Sequence, residues 1–132
     1  TIEDNFFTFW FRFIYKYNYM LEIENYDAVK TIINRDYETF SGKMLERYFK
    51  RVLVESKAYT RIGSWWDRKG ENEIDIVAEN ELNDEAVFIE IKRKEDNFDA
   101  DALNEKVNVF TRATGKFKDY DVSQRGLSMT DM

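Results

Sequence analysis

Residues 73–93 read EIDIVAENELNDEAVFIEIKR. Two β-prone runs, 73–79 and 86–93, flank the polar loop 80–85, which is the pattern of a hairpin. Side chains alternate between faces along a strand. Ile74, Ile76 and Ala78 therefore share one face of the first run, and Glu73, Asp75 and Val77 the other. In the second run Val87, Ile89 and Ile91 share a face, opposite Phe88, Glu90 and Lys92. With both oily faces on one side of the sheet, Asp75, Glu90 and Lys92 all lie on the opposite side. An even-numbered loop enforces that parity and sets Asp75 across from Glu90 or Lys92, with Cβ atoms about 5 Å apart. Two carboxylates that close repel and call for a cation between them.

The surrounding sequence supplies the rest of an α/β domain. Residues 59–66, YTRIGSWW, are rich in β-formers and run into the turn signal Asp67–Gly70. Upstream, the spacing predicts a short helix near 26–34 and a longer one over 36–56. In the longer one Tyr37, Phe40, Met44, Leu45, Tyr48, Phe49, Val52 and Leu53 recur at helical spacing. Gly42 inside it suggests close packing, and Glu46 sits at the edge of the oily stripe. Downstream, Asp99 to Thr114 predicts a second amphipathic helix with an acidic start and Gly115 as its stop. A last strand is expected near 120–124.

The chain opens with an aromatic run, Phe6, Phe7, Phe9, Trp10, Phe11, Phe13, Tyr15, Tyr17 and Tyr19. Asp4 is a plausible cap for a helix over about 5–17. Being apolar nearly all round, that helix is expected to be buried. We divide the chain into an aromatic helical segment, 1–35, packing on a core, 36–132.

Composition removes whole classes of chemistry. Among 132 residues there is neither Cys nor His, so thiol nucleophiles, imidazole bases and His- or Cys-bound zinc are excluded. Any metal must take oxygen ligands, as Mg2+, Mn2+ or Ca2+ do. The net charge of −6 is unevenly spread. Residues 43–70 carry eight basic and three acidic side chains, residues 71–105 three basic and thirteen acidic. An acidic chain is a poor nonspecific ligand of nucleic acid. No secretory signal pattern opens it and no stretch is long enough to span a bilayer. Because it begins at Thr1, we read it as a piece of a longer cytoplasmic protein.

Asp75 and Glu90 as holders of Mg2+ or Mn2+, with Lys92 beside them, form a set suited to phosphodiester hydrolysis. The metal lowers the pKa of bound water and neutralises the scissile phosphate, and Lys92 orients or deprotonates the attacking water. Glu46, on the preceding helix, could add a ligand or hold a water. Lys106 is an auxiliary candidate, Glu73 a rim charge, and Trp65 or Trp66 a stacking or partner-contact surface.

Asp75, fourteen residues, then Glu90-Ile91-Lys92, after a helix bearing Glu46, resembles the PD-(D/E)XK nuclease superfamily. The Pro that usually precedes the first acid is Ile74 here. More narrowly, IEDNFFTFWFRFIY at 2–15, SGKMLER at 41–47, IGSWWDRKGENEIDIVAEN at 62–80 and FIEIKRK at 88–94 resemble the C-terminal domain of archaeal-type AAA ATPases. The resemblance implies a restriction-endonuclease-like α/β/α core of order αβββαβ with a mixed four-stranded sheet. It places Glu46, Asp75, Glu90 and Lys92 at nuclease-site positions. It also implies a winged-helix and ATP-binding part elsewhere in the full-length protein; no G-x-x-x-x-G-K-[ST] occurs here, so ATP belongs to that other part. The expected function is Mg2+- or Mn2+-dependent cleavage of nucleic acid, DNA ahead of RNA, with homo-oligomers left open. The alternative is an inactive module of the same fold that mediates DNA or protein interactions for the ATPase.

Overall fold

The structure is a computed structural model that describes residues 2–132, with side chains from Phe6 onward. The chain falls into two compact units, Thr1–Met44 and Leu45–Met132. The division lies inside a helix, nine residues after the boundary drawn from the sequence.

In the first unit, α1 spans Ile2–Phe9 and a π-helical stretch covers Trp10–Tyr15. Then come α2, Asn18–Glu22, and the start of α3, Tyr26–Ser56. The single helix expected over 5–17 is thus replaced by an α-helix that widens at Trp10. Five aromatics crowd residues 9–15, and bulky rings compete for the same i−3/i−4 rows. Asp4 lies within α1 rather than before it, and its side chain lies outside the described residues. Phe9, Phe13 and Phe40 pack edge to face or tilted, with centroids 5.0–5.9 Å apart. Of the aromatic run only Phe13 is buried; Phe6, Phe7, Phe11, Tyr15 and Tyr19 are exposed. A unit of this size buries too small a share of its surface to enclose them all.

The two helices expected over 26–34 and 36–56 are one, α3. Nothing between Asn34 and Asp36 is Gly or Pro, so no residue breaks the ladder. The Arg35 guanidinium instead pairs with the Asp36 carboxylate at 2.9 Å on the exposed surface. Asn25 starts the helix by accepting the Ala28 N–H, 3.3 Å. Gly42 does not mark close packing, since no atom comes within 4 Å of the Cβ it lacks.

In the second unit the sheet runs β1-β2-β3-β4, with β1 Arg61–Trp66, β2 Glu73–Asn80, β3 Glu85–Ile91 and β4 Asp121–Leu127. The first two pairings are antiparallel and the third is parallel. That parallel pairing needs a crossover, supplied by α4, Ala100–Thr114. Asp99 caps α4 by accepting the Asp101 and Ala102 N–H groups, and Gly115 ends it with φ +65°. One face of the sheet packs Ile76, Ala78, Ile89 and Leu127 against Leu45 and Phe49 of α3. The other packs Ile74 and Phe88 against Leu103, Val107 and Phe110 of α4. Each Ile, Leu, Val or Phe among them contributes about 1.5–3 kcal/mol when fully buried. β3 is sandwiched between the two layers, which is why Ala86, Phe88 and Ile89 are all buried. The result is a mixed α/β layer structure.

Candidate functional site

The loop between β2 and β3 fixes their register at Asn80↔Glu85, and the pairing continues to Ile76↔Ile89, where it ends. On its other side β2 pairs Gly63↔Val77 and Trp65↔Ile74 with β1. Ser64 alone therefore faces both Asp75 and Ile76, so β2 bulges there by one residue. The expected strict alternation fails at this point. Ile74 lies with Phe88 on the α4 face, and Ile76 lies on the α3 face. A bulge keeps strand pairing on both sides while re-aiming the side chains at the kink.

Asp75 is the residue so re-aimed. Its Oδ2 accepts the Ile91 N–H at 2.8 Å, filling the place of the next rung of the ladder. The strands β2 and β3 fork around that carboxylate. Its backbone is also fixed. The Ser64 hydroxyl donates to the Asp75 carbonyl, 2.7 Å, and the Lys50 ammonium donates to Ser64 Oγ, 2.6 Å. Lys50 also sits 3.1 Å from Glu46 Oε1, one helical turn away on α3. A continuous polar chain thus joins Glu46, Lys50, Ser64 and the main chain of Asp75.

Half-buried as it is, the Asp75 carboxyl is pushed above the usual carboxylate range, chiefly by desolvation. The Ile91 N–H opposes that rise, and the negative charges of Glu46, Glu90 and Glu73 add to it. Asp75 therefore lies within the field of all three other carboxylates, with no cation bonded to it among the described residues.

Glu90, on β3, is 5 % exposed. Its Oε1 takes the Lys106 ammonium of α4 at 2.7 Å and lies 3.8 Å from the Lys92 ammonium. A buried carboxylate requires such pairing. Lys92 follows the end of β3; its N–H donates to the Leu127 carbonyl of β4, 3.0 Å, and its side chain is 42 % exposed. Glu90 pairs across β3 and β4 with Gly126, whose missing Cβ leaves room for the Phe98 ring.

Of the residues singled out in the sequence, Asp75, Glu90 and Lys92 collect at the forked end of β2 and β3. Glu46 reaches them through charge and through Lys50. Lys106 joins them directly. Trp65 is absorbed into packing, 5.3 Å from Phe110 centroid to centroid, and Trp66 is exposed. Lys50 and Ser64 escaped the sequence reading. The i+4 spacing from Glu46 could have flagged Lys50; Ser64 gains its role only from the bulge.

The donor set available to a metal is all oxygen, which suits Mg2+ or Mn2+. Asp75 Oδ1 and Glu90 Oε2 accept no hydrogen bond among the described residues. Among those residues no group of three or more ligating side chains converges ready-made. Two shallow clefts, about 110 and 210 Å³, open by Arg61, Glu79, Lys116 and Phe117, and Asp75, Glu90 and Lys92 line neither. No helix among the described residues is long and apolar enough to cross a membrane.

No solved structure matches this chain. It is similar to an uncharacterized protein of Methanocaldococcus jannaschii, 35 % identical over 101 residues. That stretch is 71 % of the chain and 22 % of the relative, so the chain spans about a fifth of that protein. A family model described as archaea bacterial proteins of unknown function matches residues 10–108, which carry Glu46, the β2–β3 fork and Lys106 alike, and the chain accordingly belongs to this family, DUF234.

Proposed function

We propose that the second unit is a nuclease-like domain of the PD-(D/E)XK type, hydrolysing phosphodiester bonds in nucleic acid with Mg2+ or Mn2+, DNA rather than RNA. The carrying observation is the Asp75 carboxylate: half-buried where β2 and β3 part, held by the Ile91 N–H, in the field of Glu46, Glu90 and Glu73, and with no cation bonded to it among the described residues. The element order from the end of α3 through β4 supports a restriction-endonuclease-like core. In this reading the domain belongs to a longer, cytoplasmic protein with ATP-binding and winged-helix parts.

Asp75 and Glu90 would hold the metal through their carboxylates. A bound Mg2+ or Mn2+ supplies a water of lowered pKa and neutralises charge growing on the phosphate. The Ile91 N–H fixes Asp75, and the Ser64–Lys50 chain fixes the bulge that aims it. Lys92, exposed and close to Glu90, meets the attacking water and the phosphate and adds positive charge where negative charge develops. Glu46 holds Lys50 in place and offers a further oxygen at the rim.

A second reading has an observation of its own. Glu90 Oε1 already carries the Lys106 ammonium at 2.7 Å, an arrangement that equally suits an inactive module that docks to DNA or protein. Incubating the chain with plasmid and single-stranded DNA and with RNA, in Mg2+ or Mn2+, separates the two. Cleavage lost by at least 100-fold in Asp75→Ala and Lys92→Ala is expected. Cleavage that survives both substitutions, or no cleavage by the unsubstituted chain, would sink the enzymatic reading.

A further inference from the structure

Two lysines share one carboxylate oxygen, and their surroundings differ. Lys106 comes from α4, is 27 % exposed and approaches Glu90 Oε1 to 2.7 Å; Lys92 is 42 % exposed and stands off at 3.8 Å. The short contact is a charge-assisted hydrogen bond, the long one only an ion pair. Glu90 itself is buried to the point where an unpaired negative charge would be strongly unfavourable. Something must neutralise it when no metal is present, and Lys106 is the group in bonding contact.

We propose that Lys106 is a resident counter-ion: it holds Glu90 in the metal-free site and gives up that oxygen when a divalent cation binds. This rests on the metal reading above. It separates two tasks that the pair of lysines could otherwise share. Lys106 sets how tightly the cation is held, because an ammonium beside the ligand opposes a second positive charge. Lys92, never fully engaged, remains available for substrate.

The consequence runs against ordinary expectation for a residue bonded to a metal ligand. Lys106→Met keeps the apolar stem and removes the charge. It should lower the melting temperature in EDTA, by leaving Glu90 unpaired, yet tighten Mn2+ binding about tenfold, by removing the competitor. Lys106→Arg keeps the charge and should bind Mn2+ within about threefold of the unsubstituted chain. Mn2+ affinity is read by electron paramagnetic resonance of the free ion, with no substrate present.

A measurement on the unsubstituted chain covers the case in which Lys106→Met fails to fold. Acylation of Lys106 by an amine-reactive ester, followed by mass spectrometry, should rise several-fold when Mg2+ is added, while Lys43 reacts equally with and without it. Unchanged Lys106 labelling despite Mn2+ binding, or weaker Mn2+ binding in Lys106→Met, overturns the counter-ion role alone. Absence of Mn2+ binding in the unsubstituted chain, with Lys106 labelling indifferent to Mg2+, overturns this role and the metal reading together.

Discussion

Asp75 is a residue whose charge works against the fold that holds it. Its folded pKa is raised, so the native state takes up its proton more readily than the unfolded chain. The associated stability is complete below the ordinary carboxylate value and is lost as pH rises through the raised one. In metal-free buffer, stability should therefore decline upward across that window. Asp75→Asn should abolish that part of the slope and gain about 1 kcal/mol near neutrality, while still accepting the Ile91 N–H. Denaturant titrations from pH 4 to 8 measure both. A flat profile in the unsubstituted chain, or a loss of stability in Asp75→Asn, would mean that Asp75 is a structural acid. Glu90, by contrast, has two ammonium groups within 4 Å of one oxygen, and Ser64 and Lys50 act one step back, on the backbone that aims Asp75.

The strands and α4 were largely legible in the sequence, because each carries a local signal that tertiary packing reinforces. Asp99 and Gly115 bracket α4 as their capping chemistry demands. The β2–β3 hairpin reads from alternation and its polar loop. What alternation could not reveal was the bulge at Asp75–Ile76, since the extra residue depends on how β1 pairs, not on β2 itself. The same limit hid Ser64. Asp75, Glu90 and Lys92 were named from their spacing and family resemblance, yet the strict parity used to group them holds only beyond the kink. Likewise the two helices expected over 26–34 and 36–56 are one, since Asn34 and Asp36 are weak helix formers but break nothing, and a long packed helix overrides them. One consequence of strand pairing is testable on β4. A Cβ at Gly126 would lie 2.5 Å from the Phe98 ring, so Gly126→Ala should cost about 1–3 kcal/mol. Phe98→Leu in the same background should recover part of it. Chemical denaturation of the three variants decides the matter; a neutral Gly126→Ala would mean that the ring moves aside freely.

Taken as a whole, the molecule carries a net charge of −6, and that bears on any encounter with nucleic acid. Basic residues gather in 43–70 and acids in 71–105, so attraction and repulsion are both built in. Without divalent cations, affinity for DNA should be weaker than micromolar at physiological salt. Added Mg2+ should tighten it by at least tenfold through neutralisation of the carboxylates. Fluorescence anisotropy in EDTA and in Mg2+, at 50 and 200 mM salt, reads this directly. Tight binding in EDTA would favour the docking module over the nuclease.

The parallel pairing of β3 with β4 has one further implication. Glu90 lies on β3, but its neighbour Gly126 arrives only after the whole of α4 has been laid down. Hairpins close within microseconds, whereas a pairing separated by so much chain is slow to find. The Glu90–Lys106 contact is therefore expected to form after the β2–β3 hairpin, and a nascent chain that has extruded only that hairpin presents a Glu90 still waiting for its ammonium partner from α4.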